Sequence, residues 1–337
     1  MSQDYENELV EIASKKDKLV VFAGAGVSTL AGIPIWEKLL KGLETKLSKS
    51  TITKNIDNVN PEKYPEIAQK IYNVFEKKYK DRGEKFQEAF KDILSASEWD
   101  YSPSQLNIIH VCKHIVTTNF DDTFDYAFKD YNRFSNKTIH PETQILPRFD
   151  PQRFTSQSAC TVYLHGCKTS DEFIFTEKQY KKHYETPLPP SPVIEFCEYL
   201  YKYNHLLFIG FGFTDRNFVK TVENIHKKSI QQNTVYGCPN TNIQHYAFMQ
   251  DKAKIYDLEI KELNKKPPDE KKDNKIKELE KNKVTFKKNI EELKNYKIKC
   301  LLYNQHKDYR DWLNKIVDEI NKLPETVKGT KDTLEFK

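Results

Sequence analysis

The residues with the clearest chemical potential begin at Gly24, where Gly-Ala-Gly-Val-Ser-Thr-Leu-Ala-Gly-Ile-Pro follows a run of apolar residues. Glycines at the end of a buried strand let the backbone approach a pyrophosphate, and the amide groups that follow can bind its charge. A purely structural glycine turn is the alternative. The segment predicts a nucleotide or dinucleotide site with the binding residues Gly24, Ala25, Gly26, Ser28, Ile33 and Pro34.

The spacing of these glycines separates the segment from two common nucleotide-binding loops. A G-x-G-x-x-G motif requires glycine at the position of Thr29, and the next glycine, Gly32, comes three residues later. No Lys followed by Ser or Thr closes the segment, as it does in nucleoside triphosphatases. The sequence therefore disfavours a hydride-transferring dehydrogenase and a triphosphatase loop.

Three polar residues follow apolar runs farther along the chain. Asn119 has a carbonyl and an amide that can hold a water molecule or hydroxyl groups, and Asp121 lies two residues on. His165 precedes a glycine, and an imidazole with a pKa near its free value of about 6.5 can act as a general base. Each has a structural alternative. Asn119 could cap a helix that begins near residues 121–126, Asp121 or Asp122 could be a favourable charge at the start of that helix, and His165 could be a hydrogen-bonded core histidine.

Short apolar strands must position these residues. They alternate with helical patterns, which is typical of a doubly wound α/β sheet with helices on both faces. We expect loops at about 131–158 and 167–192 to shape a pocket at the strand ends. The sequence predicts a Rossmann-like parallel sheet with strands that begin near Lys18, His114, Cys160, His205, Asn233 and Lys297.

Two stretches fall outside this alternation. Helical patterns at about 36–112 predict a helical insertion in a core of residues 1–245. Residues 246–297 predict a charged helical hairpin, because an apolar stripe follows a Lys-Lys-Pro-Pro-Asp break. This hairpin is either a solvated packing element or a docking surface. Residues 298–325 would complete the core, and 326–337 would form a tail.

Composition limits the classes of protein that fit. The 337 residues carry 54 Lys and Arg against 49 Asp and Glu, and residues 251–300 alone, with 16 Lys and 11 acidic residues, supply the net charge of +5. We therefore expect no general nucleic-acid surface. The apolar runs are of strand length and the first residues are acidic and polar, so we expect no membrane span, no secretory signal and a cytoplasmic location.

Metal binding is also not expected. The six cysteines are scattered and never spaced as C-x-x-C, which predicts neither a disulfide framework nor a zinc ribbon. His110 and His114 are four residues apart, but no carboxylate or cysteine set completes a group of metal ligands.

The combination of these motifs resembles the sirtuin family. G-A-G-x-S and G-I-P begin at Gly24, Thr118-Asn-Phe-Asp follows the second predicted strand, and His165-Gly follows the third. The resemblance covers about residues 18–218 and, more loosely, the chain to about 322. It implies a Rossmann-like core that binds NAD+.

A later glycine-rich segment, Gly-Phe-Gly-Phe-Thr-Asp from Gly210, resembles the family element that approaches the adenosine half of NAD+. The resemblance implies that Gly210, Gly212 and Asp215 contact NAD+. Asp215 could instead cap the helix that begins near Asn217.

Departures from the family pattern indicate one branch. Sirtuin deacylases carry two zinc-binding C-x-x-C pairs that this chain lacks, and they have Phe-Arg and Gln where this chain has Trp36-Glu37 and Thr118. The chain is therefore more similar to prokaryotic sirtuin-like NAD hydrolases of antiphage defence than to lysine deacylases. The resemblance implies an NAD+ glycohydrolase that releases nicotinamide and ADP-ribose and depletes cellular NAD+.

Cleavage of the nicotinamide–ribose bond needs little acid help, because the leaving group is a cation that departs neutral. The site must mainly supply position. With NAD+ as substrate and no metal, we expect Asn119 and His165 to be catalytic, Asp121 to bind the nicotinamide carboxamide, and the Gly24–Ser28 loop to hold the phosphates.

Two other functions fit part of the pattern. A noncatalytic module could sense NAD+ or ADP-ribose and signal through the hairpin, and a protein deacylase is a weaker alternative because the zinc cysteines are absent. A continuously active NAD+ hydrolase would kill its host. We therefore expect latency that is relieved by homo-oligomerisation, a ligand or a separately encoded partner protein, with no membrane and no direct nucleic-acid partner.

Overall fold

The computed structural model describes residues 3–47, 52–53, 56, 59–80, 83–95, 100–135, 139–146, 148–168, 170, 172–185, 189–213, 216–236, 242–267 and 269–323. Seven strands form one sheet: β1 (Leu19–Ala23), β2 (His114–Thr117), β3 (Glu142–Ile145), β4 (Cys160–Tyr163), β5 (His205–Ile209), β6 (His245–Gln250) and β7 (Ile298–Tyr303). All neighbours are parallel, in the order β3-β4-β2-β1-β5-β6-β7. This confirms the predicted doubly wound, Rossmann-like α/β fold.

The helices alternate with these strands and fill the long interval between β1 and β2. They are α1 (Gln3–Ser14), α2 (Trp36–Thr45), α3 (Tyr64–Tyr79), α4 (Glu84–Ser95), α5 (Pro103–Val111), α6 (Thr123–Ser135), α7 (Pro151–Ser156), α8 (Glu177–Tyr184), α9 (Pro192–Tyr203), α10 (Arg216–Tyr236), α11 (Lys252–Asn264), α12 (Glu270–Asn295) and α13 (His306–Lys322).

The sheet is buried on both faces. Successive side chains of a strand point to opposite faces, so Val20 and Phe22 of β1 pack with α8, α9 and α10, while Val21 packs with α1, α5, α6 and α13. A strand covered on both sides needs apolar residues at every position, which explains why β1 is a continuous apolar run.

A third apolar cluster belongs to the helical insertion. Leu40, Ile71 and Phe90 of α2, α3 and α4 are fully buried there. Phe120 and Phe175, from the loops after β2 and β4, pack into the same cluster. The insertion is therefore fixed to the carboxyl end of the sheet.

The prediction of a strand at Asn233 is wrong, because α10 continues as a helix to Tyr236. The strand between β5 and β7 is β6, at the position where the sequence predicts the start of the hairpin. An established helix extends at little cost, so a short Thr-Val-Tyr run does not stop it. Polar His245 and Gln250 at the two ends of β6 conceal its buried centre in the sequence.

The two long loop predictions are wrong in part. Residues 131–158 contain the end of α6, the edge strand β3 and the short helix α7. Residues 167–192 contain α8. The edge strand reads Glu-Thr-Gln-Ile and α8 is rich in Lys and Tyr, so neither has the apolar periodicity on which such a prediction relies.

The charged segment forms two helices, α11 and α12, separated near Lys265. Leu279 and Leu293 of α12 are buried, and Lys283 of α12 pairs with Asp257 of α11. In the described part of the chain, no helix combines the length and apolarity that a bilayer crossing needs.

Candidate active site

The carboxyl ends of neighbouring strands meet at one edge of the sheet. The register pairs Ala23 of β1 with Thr117 of β2, and Thr117 with Tyr163 of β4. Asn119 and His165 each lie two residues beyond a paired position. The structure therefore brings both predicted catalytic residues to the same edge, on adjacent strands.

Gly24, Gly26 and Gly210 pack against one another where β1 and β5 end. The Gly24 amide donates to the Ile209 carbonyl and the Gly26 amide to the Gly210 carbonyl, both at 2.9 Å. A Cβ on Gly24 would lie 2.5 Å from the Gly210 oxygen, and Gly210 itself has φ +64° with only 2.6 Å from its ideal Cβ to the Val27 nitrogen. The strand order reverses between β1 and β5, because β2, β4 and β3 lie on one side of β1 and β5, β6 and β7 on the other. Open α/β sheets bind ligands at such a point.

These contacts occupy most amides of the glycine loop. Besides Gly24 and Gly26, the Ser28 amide donates to the Ala25 carbonyl at 3.1 Å. Among the described residues, no acceptor meets the Ala25 amide, and Ala25 lines the adjacent cleft. The loop thus offers a ligand the Ala25 amide rather than a full ring of donors.

A cleft that is open to solvent lies beside this loop. Leu39 and Leu94 come from the helical insertion, which therefore supplies an apolar wall. The lining residues are Ala25, Ile33, Pro34, Trp36, Leu39, Leu94, Thr118, Asn119, Phe120 and Asp121.

Asn119 is held in place by its side-chain amide and is 7% exposed. Its Nδ2 donates to the Gly24 carbonyl at 3.1 Å and to the Ser28 Oγ at 3.0 Å. Its backbone amide donates to the Thr117 Oγ1 at 3.0 Å. Within the described ranges its Oδ1 meets no donor, so this oxygen is the acceptor that Asn119 presents to the cleft.

Asp121 belongs to a buried polar network around Ser28. The Ser28 Oγ donates to the Asp121 Oδ1 at 3.2 Å, and the Thr123 hydroxyl also bonds this oxygen. The backbone amide of Thr123, the first residue of α6, donates to it as well. Burial raises the pKa of Asp121 above its ordinary value, against the effect of the hydrogen bonds from Thr123 and Ser28.

Gln105 completes this network and was not predicted from the sequence. Its Nε2 donates to the Thr123 Oγ1 at 2.8 Å and to the Ser28 Oγ at 3.2 Å. Its Oε1 accepts from the Ser102 amide at 2.7 Å. Ser102-Pro-Ser-Gln105 forms a capping box at the start of α5, which is the sequence signal that could have singled it out.

His165 has closed surroundings and is 2% exposed. Its Nε2 lies 2.6 Å from the Tyr184 Oη, and the rings of Tyr180 and Tyr184 meet its ring edge-on at 5.5 and 5.8 Å. Burial, with the nearby His183, lowers the pKa of His165 to about 3. The expected pKa near 6.5 is therefore wrong, and the imidazole is neutral at physiological pH.

The backbone after His165 turns directly into the segment that leads to α8. The Ile174 amide donates to the His165 carbonyl at 2.9 Å. Gly166 has φ +84°, and a Cβ there would lie 2.4 Å from the Glu172 oxygen, so glycine is required. Tyr184 at the end of α8 is a second residue that the sequence did not predict, because α8 itself was assigned to a loop.

The remaining site predictions have mixed outcomes. Gly210 contacts the glycine loop, whereas Gly212 is exposed beyond it. Asp215 lies outside the described residues. Across the described ranges, no group of three or more His, Cys, Asp or Glu side chains is placed to hold a metal ion.

Comparison with known proteins shows one family and two individual proteins that are similar to this chain. The SIR2-like domain family matches residues 113–284, about half of the chain, which includes Asn119, Asp121, His165 and Gly210. The NAD(+) hydrolase ThsA of Acinetobacter baumannii (strain 532279) is 23% identical over 245 residues, 72% of this chain. The Defense-associated sirtuin 2 of Bacillus subtilis is 32% identical over 117 residues, 34% of this chain.

These matches span 46% and 10% of the lengths of the two relatives. The chain therefore corresponds to less than half of each relative.

Proposed function

This chain belongs to the SIR2-like domain family, and from that premise we propose that it is an NAD+ glycohydrolase that releases nicotinamide and ADP-ribose. The placement of Asn119 carries the proposal. Its side chain lines the cleft next to the glycine loop, and Gly24 and Ser28 fix its amide so that Oδ1 faces the space left for a ligand.

The reaction breaks the bond between the nicotinamide nitrogen and the ribose carbon. Nicotinamide leaves neutral with the electron pair of that bond, and an oxocarbenium-like ribose is captured by water. Asn119 acts by position, because its Oδ1 accepts a hydrogen bond from the attacking water or from a ribose hydroxyl. Because Nδ2 of the same side chain donates two hydrogen bonds, Oδ1 is held in place and needs little rearrangement as the reaction proceeds.

Asp121 and Ala25 are suited to bind two different parts of NAD+, the nicotinamide and the pyrophosphate. Asp121 lines the cleft with Oδ1 held by Ser28, which leaves Oδ2 to accept from the nicotinamide carboxamide. The Ala25 amide is the loop donor for the pyrophosphate. We assign Gly210 and Gly212 to the adenosine half of NAD+.

His165 serves in its neutral form. An imidazole with a pKa of about 3 carries no charge before reaction, so it can accept a hydrogen bond or a proton from water. Because ribose capture follows departure of a neutral leaving group, a weak base suffices at this step.

A noncatalytic module that senses NAD+ or ADP-ribose is the second candidate. The closed surroundings of His165 and the bonded amides of the glycine loop favour it, since both leave fewer groups free to act on a substrate. Such a module would bind NAD+ without forming nicotinamide.

We place the activity in antiphage defence, with depletion of NAD+ as its effect. The names of the two relatives support this setting, one as an NAD(+) hydrolase and one as a defense-associated sirtuin. An enzyme of this kind must be restrained in a healthy cell. Latency relieved by homo-oligomerisation or by a separately encoded partner is part of the proposal.

The test is chromatography of NAD+ after incubation with the full chain over a range of protein concentrations. The parent should release nicotinamide and ADP-ribose in equal amounts, and Asn119→Ala should release neither. Asn304→Ala is the matched control, because this exposed asparagine follows the edge strand β7 and lies outside the cleft lining. Bound but intact NAD+ at every concentration would support the sensing module instead.

A further inference from the structure

The two ring nitrogens of His165 have different surroundings. Nε2 lies 2.6 Å from the Tyr184 Oη, within hydrogen-bond distance. Within the described ranges, Nδ1 meets no hydrogen-bond partner. It is also not among the fully buried polar atoms without a partner, which include the Nε2 of His245. A neutral imidazole has one donor nitrogen and one acceptor nitrogen, so the partner of Nε2 decides what Nδ1 can do.

Helix α8 holds the ring in this orientation. Tyr180 and Tyr184 stack with 5.6 Å between their centroids and present their rings to His165. A capping box of Thr176 and Gln179 begins the helix. On the same helix, His183 lies 3.2 Å from a carboxylate oxygen of Glu172.

We propose that Tyr184 is a positioning residue for His165: its Oη accepts a hydrogen bond from the Nε2–H of His165, which leaves Nδ1 as the proton acceptor. This rests on the proposed function for the origin of the proton, but the tautomer of His165 can be measured without any substrate. Neither Tyr184 nor His165 is among the residues that line the cleft, and Tyr184 acts through the imidazole.

The proton transfer balances with the groups present. As nicotinamide leaves with the bonding electron pair, the water oxygen bonds to the ribose carbon and its proton moves to Nδ1. The imidazolium then carries a proton on each nitrogen, and Tyr184 still accepts from Nε2–H. Burial and the facing His183, itself paired with Glu172, disfavour the charged ring, so the bond to Tyr184 offsets part of that cost.

The experiment is nitrogen NMR of the full chain with 15N-labelled histidine at pH 7. Long-range proton–nitrogen correlations report which ring nitrogen carries the hydrogen, and the His165 signal is assigned by its loss in His165→Gln. The proposal predicts Nε2–H in the parent and a mixture of tautomers in Tyr184→Phe. Tyr180→Phe, which alters the stacked neighbour on the same helix, should keep Nε2–H.

Protonated Nδ1 in the parent would overturn the proposal, and so would an unchanged tautomer in Tyr184→Phe. If Tyr184→Phe does not fold, protonated Nδ1 in the parent, with the signal assigned by His165→Gln, still overturns the proposal.

Kinetics provide the second readout. Tyr184→Phe should lower kcat for nicotinamide release by about tenfold or more, the usual loss for a hydrogen bond to a charged group, with KM changed less than about twofold. If the parent binds NAD+ but releases no nicotinamide at any protein concentration while His165 is protonated on Nε2, the proposed function fails and the role of Tyr184 stands. If NAD+ is hydrolysed while His165 is protonated on Nδ1, the role of Tyr184 fails and the proposed function stands.

Discussion

The segments after β2 and β4 start from paired register positions, yet they surround their polar residues in opposite ways. Asn119 lies in a network of backbone and neutral side-chain groups, with Oδ1 open to the cleft. His165 lies among aromatic rings, with Nε2 bonded to Tyr184 and a pKa of about 3. We call these the Asn119 half and the His165 half.

The difference teaches how one sheet edge can separate two tasks. In the Asn119 half, many short contacts between loops fix the acceptor oxygen, so the position of that oxygen depends on backbone geometry. In the His165 half, burial keeps the imidazole neutral, so the state of the ring depends on the pH and on the Tyr184 hydroxyl. Changes to the first should alter packing at every pH, and changes to the second should alter the response to pH.

The largest effect is expected from Gly210→Ala, which alters the packing of the glycine loop that holds Asn119. A left-handed alanine costs about 1–2 kcal/mol, and the Cβ overlap with the Val27 nitrogen adds about 1–3 kcal/mol. Urea unfolding should therefore show a loss of about 2–5 kcal/mol, together with loss of NAD+ hydrolysis.

Gly42→Ala is the matched control for this change. Its Cβ would lie 3.1 Å from the flexible tip of Ile93 in a helix, where alanine is favoured by about 0.5–1 kcal/mol. Its free energy of unfolding should stay within about 1 kcal/mol of the parent. Equal effects of the two substitutions would remove the argument that the Asn119 half depends on glycine packing.

A smaller effect is expected from Asp125→Asn in the first turn of α6. Burial, reinforced by Asp122, raises the pKa of Asp125 to about 6 from 3.8, so the folded state favours the protonated acid. The parent therefore loses stability as the pH rises from about 4 through 6, by at most about 3 kcal/mol at 1.36 kcal/mol per unit.

Asp125→Asn removes this dependence and should gain stability relative to the parent between pH 4 and 7, as measured by urea unfolding at both pH values. The control is Asp311→Asn at an exposed position, which should follow the parent. A difference between Asp125→Asn and the parent that is the same at pH 4 and pH 7 would contradict the assignment.

The pH dependence of stability that arises from His165 should have the opposite sign to the one from Asp125. Because the folded pKa of His165 lies below its unfolded value of about 6.5, its contribution is complete above that value and is lost as the pH falls toward 3. Between pH 7 and 5 the loss from this residue is about 2 kcal/mol. His165→Gln should weaken the pH dependence by that amount, and exposed His140→Asn should not change it.

Comparing the slopes of unfolding free energy against pH cancels the packing cost of His165→Gln, which is present at both pH values. A slope equal to that of the parent would show that the imidazole is not held neutral by burial.

The sequence predicts most of the sheet because the buried strands are apolar throughout. β1 and β5 are readable for this reason, whereas β3 and β6 carry polar residues at positions where tertiary contacts, rather than periodicity, fix the strand. The same limit explains the false strand at Asn233, where a local β preference competes with an existing helix.

The candidate site is predicted only where it follows a strand. Asn119 and His165 occur at strand ends, so their shared edge is a consequence of the fold, while their roles stay predictions. Gln105 and Tyr184 reach the site from helices through contacts between residues distant in the chain, which no local pattern specifies. The shifted pKa of His165 likewise arises from burial that appears only after folding.

The most direct test of the central claim measures NAD+ binding and single-turnover nicotinamide release for the parent and Asn119→Ala side by side. If Asn119 acts by position, calorimetry should show NAD+ affinity within about threefold of the parent, while the rate of release falls by about a hundredfold or more. Release by Asn119→Ala at the rate of the parent would contradict the account.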